Sequence, residues 1–239
     1  MDERYITQYR HLYERHWWWR ARERLLLHAI RRLVPNGVRA RILDVGCGDG
    51  FFFDRLTAFG EVEGVDPAAS GSGPWADRIH VAPFDHSFQP GRRYSLILFL
   101  DVLEHLDRPE EALCTAAMLL DEGGSVLVTV PAFPQLWTRH DDLNRHRARY
   151  TSRTLTEMLT RAGFVVSEAR YFFHWLAAAK VVVRTWERIM PGGAALPTVP
   201  PSAINRALEF GSLWESRLLA PLHLPFGSSL LAVARPRRH

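Results

Sequence analysis

The chain has 239 residues, 47% of them apolar, which suits one α/β domain with added segments and a sizeable core. Thirty Lys and Arg against 26 Asp and Glu leave a net charge of +4, without the dense basic block that marks a nucleic-acid binder. Two cysteines, Cys47 and Cys114, exclude a disulfide framework and a CxxC metal site, and no run of about 18 uncharged apolar residues offers a membrane span.

The free thiols point to a reducing, cytoplasmic setting. The charged opening Met1-Asp2-Glu3-Arg4 leads into no apolar core, so no secretory leader is expected. From Tyr5 to Val34 there is no Gly or Pro, and Leu12, Tyr13, Trp17, Leu27 and Ile30 recur at helical intervals. One or two helices are predicted, stopped by Pro35-Asn36-Gly37. Trp17-Trp18-Trp19 cannot all share one helix face, so at least one must find a groove, a ligand or a partner.

The period then changes. Arg41 to Val45 reads as a buried strand closed by glycines, followed by a helix over Phe51 to Phe59. Glu61 to Val65, Ile79 to Ala82 and Tyr94 to Leu100 read as strands two, three and four. The fourth is apolar throughout, as when both sheet faces are covered. Pro109 opens a helix to Leu120. Ser125 to Val130 is strand five, after Gly123-Gly124. Thr151 or Ser152 caps a helix that ends at Gly163, and Phe164 to Ala169 is strand six. Ser229 to Ala234 closes the series. Strands alternating with helices predict a doubly wound parallel α/β sheet.

The turn after strand one carries chemistry. Its glycines, in Asp44-Val45-Gly46-Cys47-Gly48-Asp49-Gly50, let backbone N–H groups approach a ligand. Asp66, 20 residues beyond Gly46, can accept from ribose hydroxyls. A dinucleotide fingerprint needs a glycine at position 51, which is Phe51. Asp44 would repel a pyrophosphate but attract the ammonium of a methionine. Both details favour S-adenosylmethionine over a dinucleotide.

From Arg41 to Arg170, and again at the final strand, the chain resembles the class I S-adenosylmethionine-dependent methyltransferases. Ile42 to Gly50 is similar to the family's first motif and Val62-Glu63-Gly64-Val65-Asp66 to its second. Phe84-Asp85 stands where the family often has an acid near the adenine amino group. Tyr94 to Leu106 resembles the strand-four segment of the ubiquinone-biosynthesis branch, and Leu119 to Val128 its helix-Gly-Gly-strand turn. The resemblance implies a Rossmann-like, seven-stranded, mostly parallel sheet with an antiparallel last strand. It also implies S-adenosylmethionine as methyl donor. The expected cofactor residues are Asp44, Gly46, Cys47, Gly48, Asp66, Pro67, Asp85 and Leu100. Arg22 or Arg20 would meet the methionine carboxylate.

Methyl transfer needs alignment, exclusion of water and, for a hydroxyl or amine acceptor, a base. Asp101, Glu104 and His105 follow strand four as a D-x-x-E-H cluster. They offer a base, ligands for a divalent metal, or plain capping of the next helix. The related branch has E-x-x-E-H here, associated with metal; Asp101 is the shorter acid. After strand five, the polar run Arg139 to Tyr150 contains His140 and His146. His105 and His146 are the candidate catalytic bases, with a solvated loop as the bland alternative for the run. Tyr13 and Trp17 to Trp19 could face the sulfonium or wall the acceptor site, or pack between helix and sheet.

Four segments are expected: an N-terminal helical cap over 1–37, the cofactor-binding core over 38–171, a helical insertion over 172–226, and the final strand with a basic tail over 227–239. In the insertion, His174 to Met190 reads as an amphipathic helix. Trp175, Ala178, Ala179, Val182, Val183, Trp186, Ile189 and Met190 share one face. His174, Lys180, Arg184, Glu187 and Arg188 share the other. Packing over the sheet, a dimer contact and a membrane-surface helix over 174–190 all stay open. Pro191-Gly192-Gly193 ends it.

The expected function is methylation of a hydroxyl on a small apolar, aromatic or lipid-like molecule. Two alternatives stay open: an N-methyltransferase on nucleic acid or protein, and a non-catalytic binding protein with this fold. Asp101-Val102-Leu103-Glu104 replaces the Asn/Asp-Pro-Pro-aromatic tetrapeptide that base amines would want, which counts against nucleic acid.

Overall fold

The computed structural model describes residues 10–35, 39–190 and 197–237. Strands β1 (Ala40–Val45), β2 (Gly60–Val65), β3 (Ile79–His80), β4 (Tyr94–Leu100), β5 (Leu120–Pro131), β6 (Phe164–Phe172) and β7 (Ser229–Pro236) form one sheet. Their order is β3-β2-β1-β4-β5-β7-β6. The first five are parallel, and β7 runs antiparallel to both β5 and β6. This is the doubly wound sheet that the alternation of elements predicts. Its order reverses between β1 and β4, which opens a crevice at the carboxyl ends of those strands.

Helices α1 (Trp17–Leu33), α2 (Phe53–Leu56), α3 (Pro109–Leu119), α4 (Arg139–Leu143), α5 (Ser152–Arg161), α6 (His174–Ile189) and α7 (Ser202–Leu219) surround the sheet. Helical backbone also covers residues 10–15. The core has two layers because side chains alternate along each strand. Ile42, Leu96, Leu98 and Leu127 pack with Leu26 and Ile30 of α1 and Phe53 of α2. Leu43, Ile97, Phe99 and Val128 pack on the other face with Leu113 of α3 and Leu155 and Leu159 of α5. Each such fully buried side chain contributes about 1.5–3 kcal/mol.

Several boundaries differ from expectation. The helix expected over Phe51 to Phe59 is the single turn α2, because Phe59 already serves β1 through the Ala40 N–H and Gly60 starts β2. Strand β5 begins five residues early, at Leu120, because Leu120 pairs with Tyr94 across an irregular register. Strand β6 runs on to Phe172, paired with Ser229. The breaks expected at Asn36-Gly37 and Pro191-Gly192-Gly193 lie outside the described residues.

The insertion holds a second helix that the sequence reading missed, α7. Its buried stripe is polar: Asn205, Glu209 and Ser212. Asn205 Oδ1 accepts from the Trp17 N–H at 2.8 Å, and its Nδ2 donates to the Arg15 carbonyl at 2.8 Å. Glu209 pairs with Arg20 at 3.1 Å and Arg24 at 3.0 Å. Ser212 Oγ accepts from Trp175 Nε1 at 3.1 Å. Trp17 is buried against Trp175, with ring centroids 5.3 Å apart, and against Phe173 at 6.4 Å. Trp17 therefore serves the joint between α1 and the insertion, while Trp18 lies under the Arg22 guanidinium at 5.6 Å. No helix among the described residues is long and apolar enough to cross a membrane.

Candidate active site

The crevice is entered by the loop after β1. Gly46, Gly48 and Gly50 have φ of 72°, 55° and 77°. Gly46 needs its missing side chain twice over, since a Cβ there would also lie 2.6 Å from Val102 Cγ2. Cys47 turns its thiol toward Gly64 of β2, and burial pushes that thiol up. Asp66 Oδ2 accepts from the Gly48 N–H at 2.8 Å and Oδ1 from the Ala68 N–H at 2.7 Å. Both bonds fix the carboxylate at the end of β2, and each oxygen keeps a lone pair for a ribose hydroxyl. Pro67 beside it is exposed. Asp85 follows β3, where Oδ1 accepts from the Ser87 N–H and hydroxyl at 2.8 and 2.6 Å. Those bonds hold its carboxyl below the usual range. Leu100 is half-buried at the end of β4.

Asp44 is buried and its carboxyl is pushed up to about 7. Burial is the main cause; the positive charge of Arg22 opposes it and Asp66 adds to it. Arg22 reaches over from α1, pairs with Asp101 at 2.8 Å and donates to Thr129 Oγ1 at 3.1 Å. Its Nε is buried with no partner among the described residues. A buried acid short of a cation, a buried cation with a donor to spare and an acid at the second strand together fit an amino-acid head and a ribose.

Beyond the crevice lies a second group. Asp101 ends β4 in the left-handed region, φ 60°, and spends its carboxylate on Arg22 and on Thr129 Oγ1 at 3.1 Å. Glu104 is fully buried, and neither carboxylate oxygen has a partner among the described residues. Burial first, then the charge of Asp101, pushes its carboxyl well above the usual range. Ligand atoms of Glu104, His105 and His146 lie within 4.8 Å of one another. The His105 and His146 rings meet edge to face at 4.8 Å.

His146 Nδ1 stands 2.8 Å from Asp141 Oδ1. Asp141 is fully buried, and its other oxygen accepts from the Thr138 N–H at 2.8 Å and hydroxyl at 3.1 Å. Arg149, also buried, donates Nε to Asp141 at 2.9 Å and Nη1 to the Ala132 carbonyl at 2.7 Å. Burial opposes ionisation of Asp141, but His146, Arg149 and Lys180 outweigh it and hold the carboxyl far below the usual range. An ionised Asp141 can only accept, so His146 Nδ1 carries a proton, and in the neutral imidazole the lone pair is then on Nε2.

A family model of methyltransferase domains matches residues 18–169, nearly two thirds of the chain. The chain belongs to this methyltransferase family. Its class is I, and its methyl donor is S-adenosylmethionine. A ubiquinone biosynthesis O-methyltransferase of Rhodopseudomonas palustris is 31% identical over 98 residues, 37% of this chain and 38% of that protein. The chain spans 38% to 55% of the length of such curated relatives. A methyltransferase from Archaeoglobus fulgidus shares the fold at TM-score 0.52 and 19% identity, covering 89% of this chain and 93% of its own. So does the Haemonchus contortus phosphoethanolamine N-methyltransferase 2, solved with S-adenosylmethionine, at TM-score 0.52 and 15% identity, covering 89% and 52%.

The structure brings Asp44, Gly46, Gly48, Asp66 and Arg22 to one crevice, with the Cys47 thiol turned toward Gly64. Of the three expected metal candidates, Asp101 is taken by Arg22, and His146 stands with Glu104 and His105 instead. One carboxylate and two imidazoles suit a borderline first-row ion such as Zn²⁺ better than Mg²⁺. His140 stands 3.0 Å from Asn144 Nδ2, and burial, then the charge of Lys180, pulls its pKa down to about 4.

Sequence reasoning missed Asp141 and Arg149, whose run reads as a solvated loop of mixed charge. The only available signal is Thr138-x-x-Asp141, a helix-capping spacing. It also missed Lys180. That side chain turns inward on α6, where burial and then the charge of Arg149 pull its pKa down to about 8.

Proposed function

We propose that this methyltransferase moves the methyl group to a hydroxyl of a small apolar, aromatic or lipid-like molecule, with His146 as the base. The observation that carries this reading is the Asp141–His146 pair. A hydroxyl is a poor nucleophile until its proton has somewhere to go, and an imidazole anchored at Nδ1 supplies that place at Nε2. The O-methyltransferase name of the curated relatives supports the same acceptor atom.

S-adenosylmethionine supplies an activated methyl group. The chain's residues do the rest. Asp44 pairs with the ammonium, Arg22 with the carboxylate and Asp66 with the ribose. His146 Nε2 takes the hydroxyl proton as the acceptor oxygen bonds to the methyl carbon and the carbon–sulfur bond breaks to leave S-adenosylhomocysteine, and ionised Asp141 stabilises the imidazolium that forms. In a second reading, favoured by the two unpartnered oxygens of Glu104, the residues Glu104, His105 and His146 would hold a divalent ion, which would supply Lewis acidity toward the hydroxyl. The test is transfer of labelled methyl to a panel of phenols, catechols and prenylated phenols against matched amines, DNA and protein. Label only on amines, DNA or protein would overturn the proposal.

The Asp44 carboxyl sets a pH dependence. Near pH 7 it is half protonated in the free protein, and a bound ammonium favours its charged form. Binding below pH 7 must therefore expel a proton. Affinity for S-adenosylhomocysteine is expected to fall by up to about tenfold per pH unit from pH 7 to 5 and to be flat above about pH 8. Calorimetry in buffers of different ionisation enthalpy reads the released proton directly. Asp44→Asn should abolish both the slope and the release.

A further inference from the structure

Helices α6 and α7 are built inside out. In the second half of α6, the side chains turned toward the protein are Lys180, Arg184 and Glu187. Arg184 donates to the Gln135 carbonyl, and Glu187 Oε2 accepts from the Arg139 N–H at 3.1 Å. The outward side carries Val182, Trp186 and Ile189, with Trp186 60% and Ile189 70% exposed. These residues of the apolar face do not pack over the sheet. Helix α7 repeats the arrangement. Its polar stripe is buried against α1, and Phe210, Trp214 and Leu218 project at four-residue steps, Phe210 being 64% and Leu218 63% exposed. Phe210 and Trp214 meet edge to face at 5.8 Å, so their rings cover each other rather than the core.

Charge is sorted in the same way. The segment 174–226 contains three acids, Glu187, Glu209 and Glu215, and all three face inward. Glu187 is used by Arg139, Glu209 by Arg20 and Arg24, and Glu215 accepts from the Trp175 N–H at 2.6 Å. Among the described residues of α6 and α7, the exposed charged side chains are all cationic: Arg188, Arg206 and Arg217. An apolar stripe with tryptophans, flanked only by arginines, matches an anionic lipid surface in both components. The apolar side chains enter the acyl boundary, the indoles sit at headgroup depth and the guanidiniums meet phosphates. A second copy of the chain would bring the same cations to the contact.

We propose that the outward faces of α6 and α7 dock this protein on an anionic membrane surface. The inference stands apart from the identity of the methyl acceptor. Its test is flotation of the full chain with vesicles of equal phosphatidylglycerol and phosphatidylcholine, and with vesicles of phosphatidylcholine alone. The chain should float with the anionic vesicles only, and about 0.5 M salt should weaken the association. The pair Trp186→Ser with Ile189→Ser, the pair Phe210→Ser with Trp214→Ser, and the pair Arg188→Glu with Arg217→Glu should each cut partitioning by about tenfold or more. These side chains are exposed, so S-adenosylhomocysteine affinity should stay at the wild-type value and certify the fold. No flotation, equal flotation with neutral vesicles, unchanged flotation of the variants, or a dimer in solution that the apolar substitutions split would each overturn the proposal.

Discussion

His146→Ala is expected to lower kcat for hydroxyl methylation by about 10²–10⁴-fold, the range for loss of a positioned base. Affinity for S-adenosylhomocysteine should change by less than about twofold, because His146 stands in the group beyond the donor crevice. Steady-state kinetics with calorimetry on the same protein separates the two effects. Activity that survives His146→Ala would remove the base assignment. A chelator arm separates the two readings of the cluster: stripping divalent ions should leave wild-type activity intact if His146 is the base. Loss on stripping, with recovery on adding Zn²⁺, would transfer the role to a metal at Glu104, His105 and His146.

Asp141→Ala carries the largest expected effect on stability, about 3–5 kcal/mol, because it leaves the buried Arg149 guanidinium without its counter-charge. For a chain of this size the melting temperature should drop by about 6–20 °C. Only part of the loss should return in Asp141→Leu with Arg149→Met: the stranded charge is removed, but the Thr138 N–H and the Ala132 carbonyl lose their buried partners. Thermal unfolding followed by far-ultraviolet circular dichroism measures both. The double variant should nonetheless remain slow in methyl transfer, because His146 loses the acceptor that fixes its tautomer. Full activity in that variant would show that the pair is structural only.

The sheet was legible because its signals are local. Tyr94 to Leu100 is an unbroken apolar run of strand length, and it forms β4 without an error at either end. The glycines at 46, 48 and 50 announce a turn that only left-handed backbone can make, and Asp66 falls at the end of the next strand. What failed depends on partners distant in sequence. Asp141 and Arg149 look like surface residues until Ala132 and Thr138 are folded around them. Helix α6 was recognised as amphipathic, but its direction was not. Periodicity measures the contrast between two faces and is blind to which one meets the protein. Helix α7 was missed because Asn205, Glu209 and Ser212 fill the stripe where apolar residues would ordinarily mark a buried face.

The polar stripe of α7 has a consequence for protein engineering. Much of the attachment of the insertion rests on a few addressed bonds, from Asn205 to the backbone around Trp17 and from Glu209 to Arg20 and Arg24. The two apolar layers of the sheet are closed largely by α1, α3 and α5. A module fastened in this manner behaves like a plug with a keyed socket. Another helical segment could be grafted between Phe173 and Gly227, keeping the Asn and Glu keys and the aromatic joint around Trp175. The donor half of the enzyme would stay unchanged while its surroundings were rewritten.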